Sequence, residues 1–144
     1  GLKALGVGRG DHVVVSMPNS PEVFACFGAI WRIGAVIVPI MFLLGEDETR
    51  YILDHSDAKA VVTSRDLLGK IETACRGIDH LQQIIVLDGE GKAGQVEFYG
   101  LLNRSEPEPH YEEMTENDVA GKMLHQCRPG NRGALPGLYH PIQV

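Results

Sequence analysis

Residues 10–22 read GDHVVVSMPNSPE, and this stretch decides the fold that the rest of the chain can adopt. The β-branched run at residues 12–16 is bounded by turn residues and predicts a buried strand. The Ser-Pro-Glu at residues 20–22 supplies an N-cap, a preset φ for the first helical turn and an acid at the positive helix end. A helix over residues 21–33 is therefore predicted directly after the strand. Its inward side is predicted to carry Phe24, Phe27, Ile30 and Trp31 at helical spacing.

The flanking sequence continues this alternation of strands and helices. Upstream, residues 2–5 resemble the last turn of a helix, which Gly6 closes in a left-handed conformation. Downstream, the predicted strands are residues 35–38 (closed by Pro39), 59–63 and 83–87, and the predicted helices are 46–55 (Tyr51 and Ile52 inward), 67–76 and 98–103. Residues 88–92 predict a turn, and residues 105–117 predict an exposed connector. The pattern predicts βαβ units and an α/β fold class, a parallel sheet flanked by helices.

The composition is typical of a soluble globular protein, with 44% apolar and 22% charged residues in a chain of 144. This length suits one domain or part of a larger one. The net charge of −6 argues against a nucleic-acid partner, because phosphate binding needs clustered lysine and arginine. Arg32, Gly34 and Pro39 interrupt the apolar run at residues 23–44. That interruption favours a helix followed by a buried strand over a transmembrane segment.

Cysteine usage indicates a reducing compartment. Cys26, Cys75 and Cys127 form no spaced pair and are too few for a disulfide framework, so we expect reduced thiols and a cytoplasmic protein. No signal peptide is visible. The chain opens on Gly1 rather than methionine, and we therefore expect it to start inside a longer protein. The sequence leaves the oligomeric state open.

Two glycine-containing motifs are interpreted as turns. Gly6-x-Gly8-x-Gly10 leaves a helix and enters a strand, whereas a dinucleotide-binding loop must follow a strand and open a helix. The Asp-Gly-Glu-Gly-Lys run at residues 88–92 does follow a strand. Its acids would repel phosphate, no serine or threonine follows it, and its spacing differs from the P-loop pattern.

The polar residues that could carry chemistry are scattered along the chain. The histidines at His12, His55, His80 and His110 fall on different elements without metal-ligand spacing. Cys127 lies near His125 and His140, which leaves a thiol–histidine pair open, although nothing in the sequence orients it. For Asn19, an Asx turn between the strand and the helix is preferred over a ligand contact. We therefore assign no catalytic, cofactor-binding or metal-binding residue.

Five short motifs occur in a set order along the first sixty residues: Gly10-Asp11, Pro18-Asn19-Ser20, Gly34-Ala35-Val36-x-x-Pro39, Glu48-x-x-Tyr51-x-Leu53 and Ser56-x-Ala58-Lys59. Their order and spacing resemble the N-terminal part of the AMP-forming acyl-CoA synthetases. These belong to the adenylate-forming superfamily, which also holds luciferases and peptide-synthetase adenylation domains. The resemblance covers residues 1–120. It implies that they form an incomplete piece of the large N-terminal α/β domain of such an enzyme.

The resemblance also implies a chemistry for the full-length protein. Enzymes of this family activate a carboxylic acid with ATP to an acyl-adenylate and then pass the acyl group to coenzyme A. A full-length relative would use ATP, Mg²⁺ and coenzyme A, and the identity of its acid stays open. In the family this region is chiefly scaffold, so the resemblance assigns no site residue here.

The segment after residue 120 departs from the family pattern. The family has a strand there and a Ser/Thr/Gly-rich loop ending in Pro-Lys-Gly, which offers amides, hydroxyls and a lysine to the phosphates of ATP. This chain has no serine or threonine from residue 116 to its end. The 144 residues alone are therefore expected to be inactive and to bind no cofactor.

Residues 121–144 are expected to form a divergent, irregular tail, because they carry four glycines, three prolines and no hydrophobic period. One hypothesis is a shifted reading frame, since degenerate codons for residues 125–135, read one base later, permit Thr-Ser and then Thr-Gly-Ala-Pro. On that hypothesis the chain is poorly ordered beyond Leu124. The alternative is a genuine tail that packs Leu135, Leu138 and Ile142 against the sheet.

Three functions stay open at this point. The leading interpretation is a fragment of an acyl-CoA synthetase that adenylates nothing on its own. The second is a non-catalytic protein-interaction module, which docks through the apolar surface that the missing domain would cover. The third is a standalone hydrolase or thiol enzyme that uses the region around Cys127.

Overall fold

The computed structural model describes residues 1–89, 92, 94–124 and the backbone of residues 140–143. The strands are β1 (His12–Ser16), β2 (Val36–Pro39), β3 (Ala58–Ser64), β4 (Gln83–Leu87), β5 (Gln95–Glu97), β6 (Val119–Met123) and β7 (His140–Gln143). The α-helices are α1 (Pro21–Arg32), α2 (Glu46–His55), α3 (Leu68–Ala74) and α4 (Phe98–Arg104). Short 3₁₀ helices cover Leu2–Leu5 and Arg65–Leu67.

Within the described residues the strands form one sheet in the order β5-β4-β3-β1-β2-β6-β7. Strands β1 to β6 are parallel to their neighbours, while β7 pairs antiparallel with β6. The helical connections between β1, β2, β3 and β4 allow this parallel pairing, because a short hairpin cannot join parallel strands. The predicted fold class, a parallel sheet flanked by helices, is confirmed.

The sheet is covered on both faces, and the alternation along β1 shows how. Val13 and Val15 belong to one apolar cluster with the α1 residue Ile30, whereas Val14 belongs to a second cluster with the α2 residue Leu53. Helix α4 joins the first face through Leu101, and α3 joins the second through Ile71. A strand buried on both sides explains why residues 13–15 are a continuous apolar run rather than an alternating one.

The inward face of α1 was predicted only in part. Ile30 is fully buried and Phe27 is partly buried, but Phe24 is 76% exposed and Trp31 is 46% exposed. The side chains that α1 packs against the sheet are those of residues 23, 26, 27 and 30. The small side chain of Cys26 is therefore buried, and the large ones of Phe24 and Trp31 are not. Phe24 and Trp31 lie roughly a quarter-turn away from the centre of the stripe that those four residues form.

The remaining elements agree with the sequence, with local differences. Gly6 closes the first helical turn with φ 82°, as expected. The predicted helix at residues 67–76 is shorter, because Arg65–Leu67 forms a 3₁₀ turn before α3. Strand β5 was not predicted, since it has three partly buried residues and two of them are polar. Pro39, expected to close β2, is its last residue.

No element was predicted in residues 121–144, and there the structure adds two. Strand β6 crosses the expected boundary at residue 120 and ends at Met123, while β7 pairs with it. Strand β7 has only four residues and one of them is proline, so its sequence gives little indication of a strand. Pro141 is tolerated because β7 lies at the sheet edge. The expectation of poor order beyond Leu124 covers residues 125–144. Strand β7 falls within that range, while residues 125–139, with Leu135 and Leu138, and residue 144 lie outside the described residues.

The apolar run at residues 23–44 is divided between a helix and a strand. No helix in the described part of the chain is both long and apolar enough to cross a membrane. The predicted alternative, a helix followed by a buried strand, is what α1 and β2 form.

Candidate functional site

The carboxyl ends of β1, β2 and β3 form the candidate site. Helix α1 leaves β1 toward one face of the sheet, and α2 leaves β2 toward the other, as their separate apolar clusters show. Where adjacent parallel strands send their connections to opposite faces, a crevice opens outside the carboxyl ends of the strands. Ligands of open α/β proteins bind at this edge, so its side chains are the candidates for a binding site.

Two buried hydroxyl groups lie at this edge. Ser16 ends β1 and is 1% exposed, and Thr63 near the end of β3 is 0% exposed. The two residues are direct partners in the β1–β3 register. Neither side-chain oxygen has a hydrogen-bond partner among the described residues. By contrast, the buried hydroxyls of Thr49 and Ser56 donate to backbone carbonyls at 2.7 and 3.2 Å.

A buried hydroxyl without a hydrogen-bond partner costs about 1–3 kcal/mol of folding free energy. Two such hydroxyls side by side make this edge the candidate for a binding site. Ser16 and Thr63 can donate or accept hydrogen bonds with a polar group that enters the crevice. Neither contacts a hydrogen-bonded base in the described part of the chain, so the pair offers binding rather than nucleophilic catalysis. Sequence reasoning missed both residues, although each is a polar residue near the end of an apolar strand.

A lysine side chain ties together two segments at this edge. The Lys70 ammonium donates to the carbonyls of Phe42 and Leu44 at 2.6 and 2.8 Å, which ties the loop after β2 to α3. Asn19 is exposed after β1. An Asx turn at Asn19 would need the amide of residue 21, and Pro21 has none, so that interpretation of Asn19 is wrong.

The residues considered for chemistry do not converge. In the described ranges no three His, Cys, Asp or Glu residues lie close enough to hold a metal ion. His55 stacks on Tyr51, and His80 contacts the carbonyl of Leu53 at 3.2 Å. His125 and Cys127 lie outside the described residues. That the chain supplies no catalytic, cofactor-binding or metal-binding residue stays a prediction.

The two cysteines that the structure describes have unreactive thiols. Burial, together with nearby Glu22, raises the pKa of Cys26 to about 12. Burial raises the pKa of Cys75 to about 11. Because the thiolate is the reactive form, neither side chain is suited to act as a nucleophile near neutral pH.

The first glycine motif is a turn, as the sequence indicated. Gly6 caps the 3₁₀ helix through its amide, and the Gly8 amide donates to Asp11 Oδ2 at 2.8 Å. In the second motif, Asp88 has φ 59°, which fits a turn, while Glu90 and Gly91 lie outside the described residues.

These features define an α/β protein with a parallel sheet covered on both faces and two buried hydroxyl groups at its carboxyl edge. The family model described as AMP-binding enzyme matches residues 1–123. The chain therefore belongs to the AMP-binding enzyme family, as the motifs indicated.

Individual relatives are acyl-CoA synthetases and ligases. The chain is 33% identical to acetyl-coenzyme A synthetase from Bacillus subtilis (strain 168) over 141 residues, covering 93% of this chain and 23% of the relative. It is similar to the crystal structure of the anthranilate CoA ligase AuaEII in complex with anthranoyl-AMP, with TM-score 0.85 and 25% identity over 97% of this chain and 26% of that one. It is also similar to a Mycobacterium tuberculosis fatty acyl CoA synthetase, with TM-score 0.76 and 28% identity over 97% and 26% of the two chains.

The matches cover nearly all of this chain but only part of each relative. The chain spans about a quarter of the length of the relatives it matches. A match over 93% of the chain also extends past residue 123 into the segment expected to diverge.

Proposed function

We propose that the chain is part of the N-terminal domain of an acyl-CoA synthetase and serves there as scaffold. The full-length enzyme would convert a carboxylic acid and ATP to an acyl-adenylate and pyrophosphate. The coenzyme A thiol would then displace AMP and form the thioester. The observation that carries the proposal is the family match over residues 1–123, joined to a fold similarity that covers one quarter of a CoA ligase.

In this proposal ATP, Mg²⁺ and coenzyme A bind elsewhere in the full-length protein, which acts in the cytoplasm. The polypeptide of 144 residues activates no acid by itself, because it carries no serine or threonine after Thr115 with which to build a hydroxyl-rich phosphate loop. Its parallel sheet supplies a rigid support, with Ser16 and Thr63 buried at its carboxyl edge.

A chimera tests the scaffold role. Residues 1–123 replace the aligned segment of the Bacillus subtilis acetyl-coenzyme A synthetase, and acetyl-CoA formation is measured. We expect kcat/KM for acetate to stay within about tenfold of the parent, which corresponds to about 1.4 kcal/mol of transition-state stabilisation. The order of preference among short acids is expected to be unchanged, because scaffold residues do not contact the acid.

Circular dichroism and gel filtration of the same chimera serve as the folding control. A folded chimera that prefers a different acid would contradict the proposal, since the grafted residues would then set specificity. A second chimera receives the same segment from another acyl-CoA synthetase. It measures how much activity is lost because of the two junctions alone.

A second candidate function is a protein-interaction module. It is favoured by apolar side chains that lie on the surface, among them Phe24, Met41, Leu43 and Leu102. A contiguous exposed apolar patch is typical of an interaction surface, and this second function requires these side chains to form one. A nanomolar complex between the purified chain and an intact synthetase relative would support this second function over the first.

A further inference from the structure

The segment between α4 and β6, residues 105–118, makes contacts that an exposed connector would not need. We call this segment the strap. It contains six acidic residues and no lysine or arginine. It runs past the end of the sheet where the strands begin, and three cations there contact it: Lys3, Arg9 and Arg32.

Two of these cations bind the first half of the strap. Lys3 Nζ lies 3.1 Å from Glu108 Oε2 and 3.3 Å from Glu112 Oε1. Arg32 Nε donates to the carbonyl of Glu108 at 2.7 Å, and its guanidinium lies 3.7 Å from the ring centre of Tyr111. The amide of Glu112 donates back to the carbonyl of Arg32 at 3.1 Å.

Arg9 binds the second half. Its Nη1 donates to the carbonyl of Glu113 at 3.0 Å, and its Nη2 lies 3.0 Å from both carboxylate oxygens of Asp118. The amide and hydroxyl of Thr115 also donate to Asp118, at 2.7 and 2.9 Å. These contacts hold the residue directly before β6, and charge-assisted bonds are the stronger kind.

The strap passes close over Gly34. A Cβ at that position would lie 3.0 Å from Arg9 Cγ and 3.3 Å from Glu112 Cβ. The glycine therefore provides the room in which Arg9 and the strap meet.

Strand β6 pairs with β2 over a short ladder and with β7, the edge strand, over a longer one. The β2–β6 ladder has one register pair, Ile37 with Gly121, whereas the β3–β4 ladder has five. A side-chain bond adds to it, from Trp31 Nε1 to the carbonyl of Ala120 at 2.9 Å. The exposed position of Trp31 is thus explained by its hydrogen bond.

We propose that the strap is a clamp that fixes β6 against β2, and that Arg9, Arg32 and Trp31 are its positioning residues. Because β6 runs parallel to β2, fixing its first residues also sets where its last residues lie at the carboxyl edge. The clamp does not depend on the proposed enzymatic role.

Hydrogen exchange on the full 144-residue chain tests the clamp. The variants are Arg9→Gln, Arg32→Gln and the two combined, and Arg76→Gln at an exposed position is the control for the one-charge change of each single variant. In the double variant, the amides of residues 119–123 are expected to exchange about tenfold faster, because charge-assisted bonds are lost. Exchange in β1, β3 and β4 is expected to be unchanged, as in the control.

Two further arms separate positioning from general stability. Arg9→Lys keeps the charge but loses the bidentate contact, and it is expected to restore part of the β6 protection. Raising the salt from about 50 mM to about 500 mM is expected to speed exchange in β6 and not in β4, because exposed ion pairs are screened. Equal exchange of β6 in wild type and double variant, or equal loss across all strands, would overturn the clamp.

Discussion

Replacing Ile30 by alanine is expected to lower the free energy of unfolding by about 2–5 kcal/mol. Ile30 is fully buried and packs α1 onto the face of the sheet that carries Val13, Val15 and Ile37. Truncating it removes buried apolar surface and leaves a cavity in the layer that joins helix and sheet. Urea denaturation of the 144-residue chain, followed by circular dichroism, measures the change.

Phe24→Ala is the matched control on the same helix. The sequence placed Phe24 and Ile30 on one side, but Phe24 is 76% exposed. Its removal is therefore expected to change the free energy of unfolding by no more than about 0.5 kcal/mol. Equal losses at the two positions would mean that α1 packs with a different face toward the sheet.

The second large effect is expected at Gly34. Its φ is 69°, a left-handed conformation that costs other residues about 1–2 kcal/mol. A Cβ there would also lie too close to two side-chain atoms, Cγ of Arg9 and Cβ of Glu112. We expect Gly34→Ala to destabilise the chain by at least about 1 kcal/mol, and to speed hydrogen exchange in β6 as well.

Gly28→Ala provides the control of identical chemistry. Gly28 lies in the interior of α1, and a Cβ at that position meets nothing within 4 Å. Alanine there is expected to raise the free energy of unfolding by about 0.5–1 kcal/mol, because glycine is a poor helix residue. A stabilising Gly34→Ala, like the one expected at Gly28, would contradict the described backbone at Gly34.

The sequence predicted the elements that have strong local signals. Strands β1 to β4 are continuous apolar runs between turn residues, and α2 was predicted with its observed bounds. Strands β5, β6 and β7 were missed because they are short and partly polar, and they are held by neighbours distant in sequence. The contacts of Arg9 with Asp118 and of Trp31 with Ala120 span about a hundred residues, so no local pattern could show them.

The candidate site was harder to predict than the fold. Ser16 and Thr63 become neighbours only through the β1–β3 register, which a sequence does not state. The family motifs located the family region correctly, since the family model matches residues 1–123. They could not indicate that two buried hydroxyls would meet at the carboxyl edge, because neither residue belongs to a motif.

The residues after Leu124 keep two hypotheses open to experiment. A shifted reading frame and a genuine divergent tail both remain predictions for residues 121–144. The pairing of β7 with β6 and the relative that matches 93% of the chain are the observations that a frame-shift account has to accommodate. The nucleotide sequence downstream of the codon for Ala120 would separate them.

Calorimetric titration of the purified 144-residue chain with ATP and Mg²⁺ tests the central claim most directly. The account describes a folded scaffold of an AMP-binding enzyme that does not bind the nucleotide by itself. It predicts no measurable heat of binding at ATP concentrations up to about 1 mM, which corresponds to a binding free energy weaker than about −4 kcal/mol. Saturable binding with a micromolar Kd would contradict it, because an ATP site would then lie within residues assigned here to scaffold.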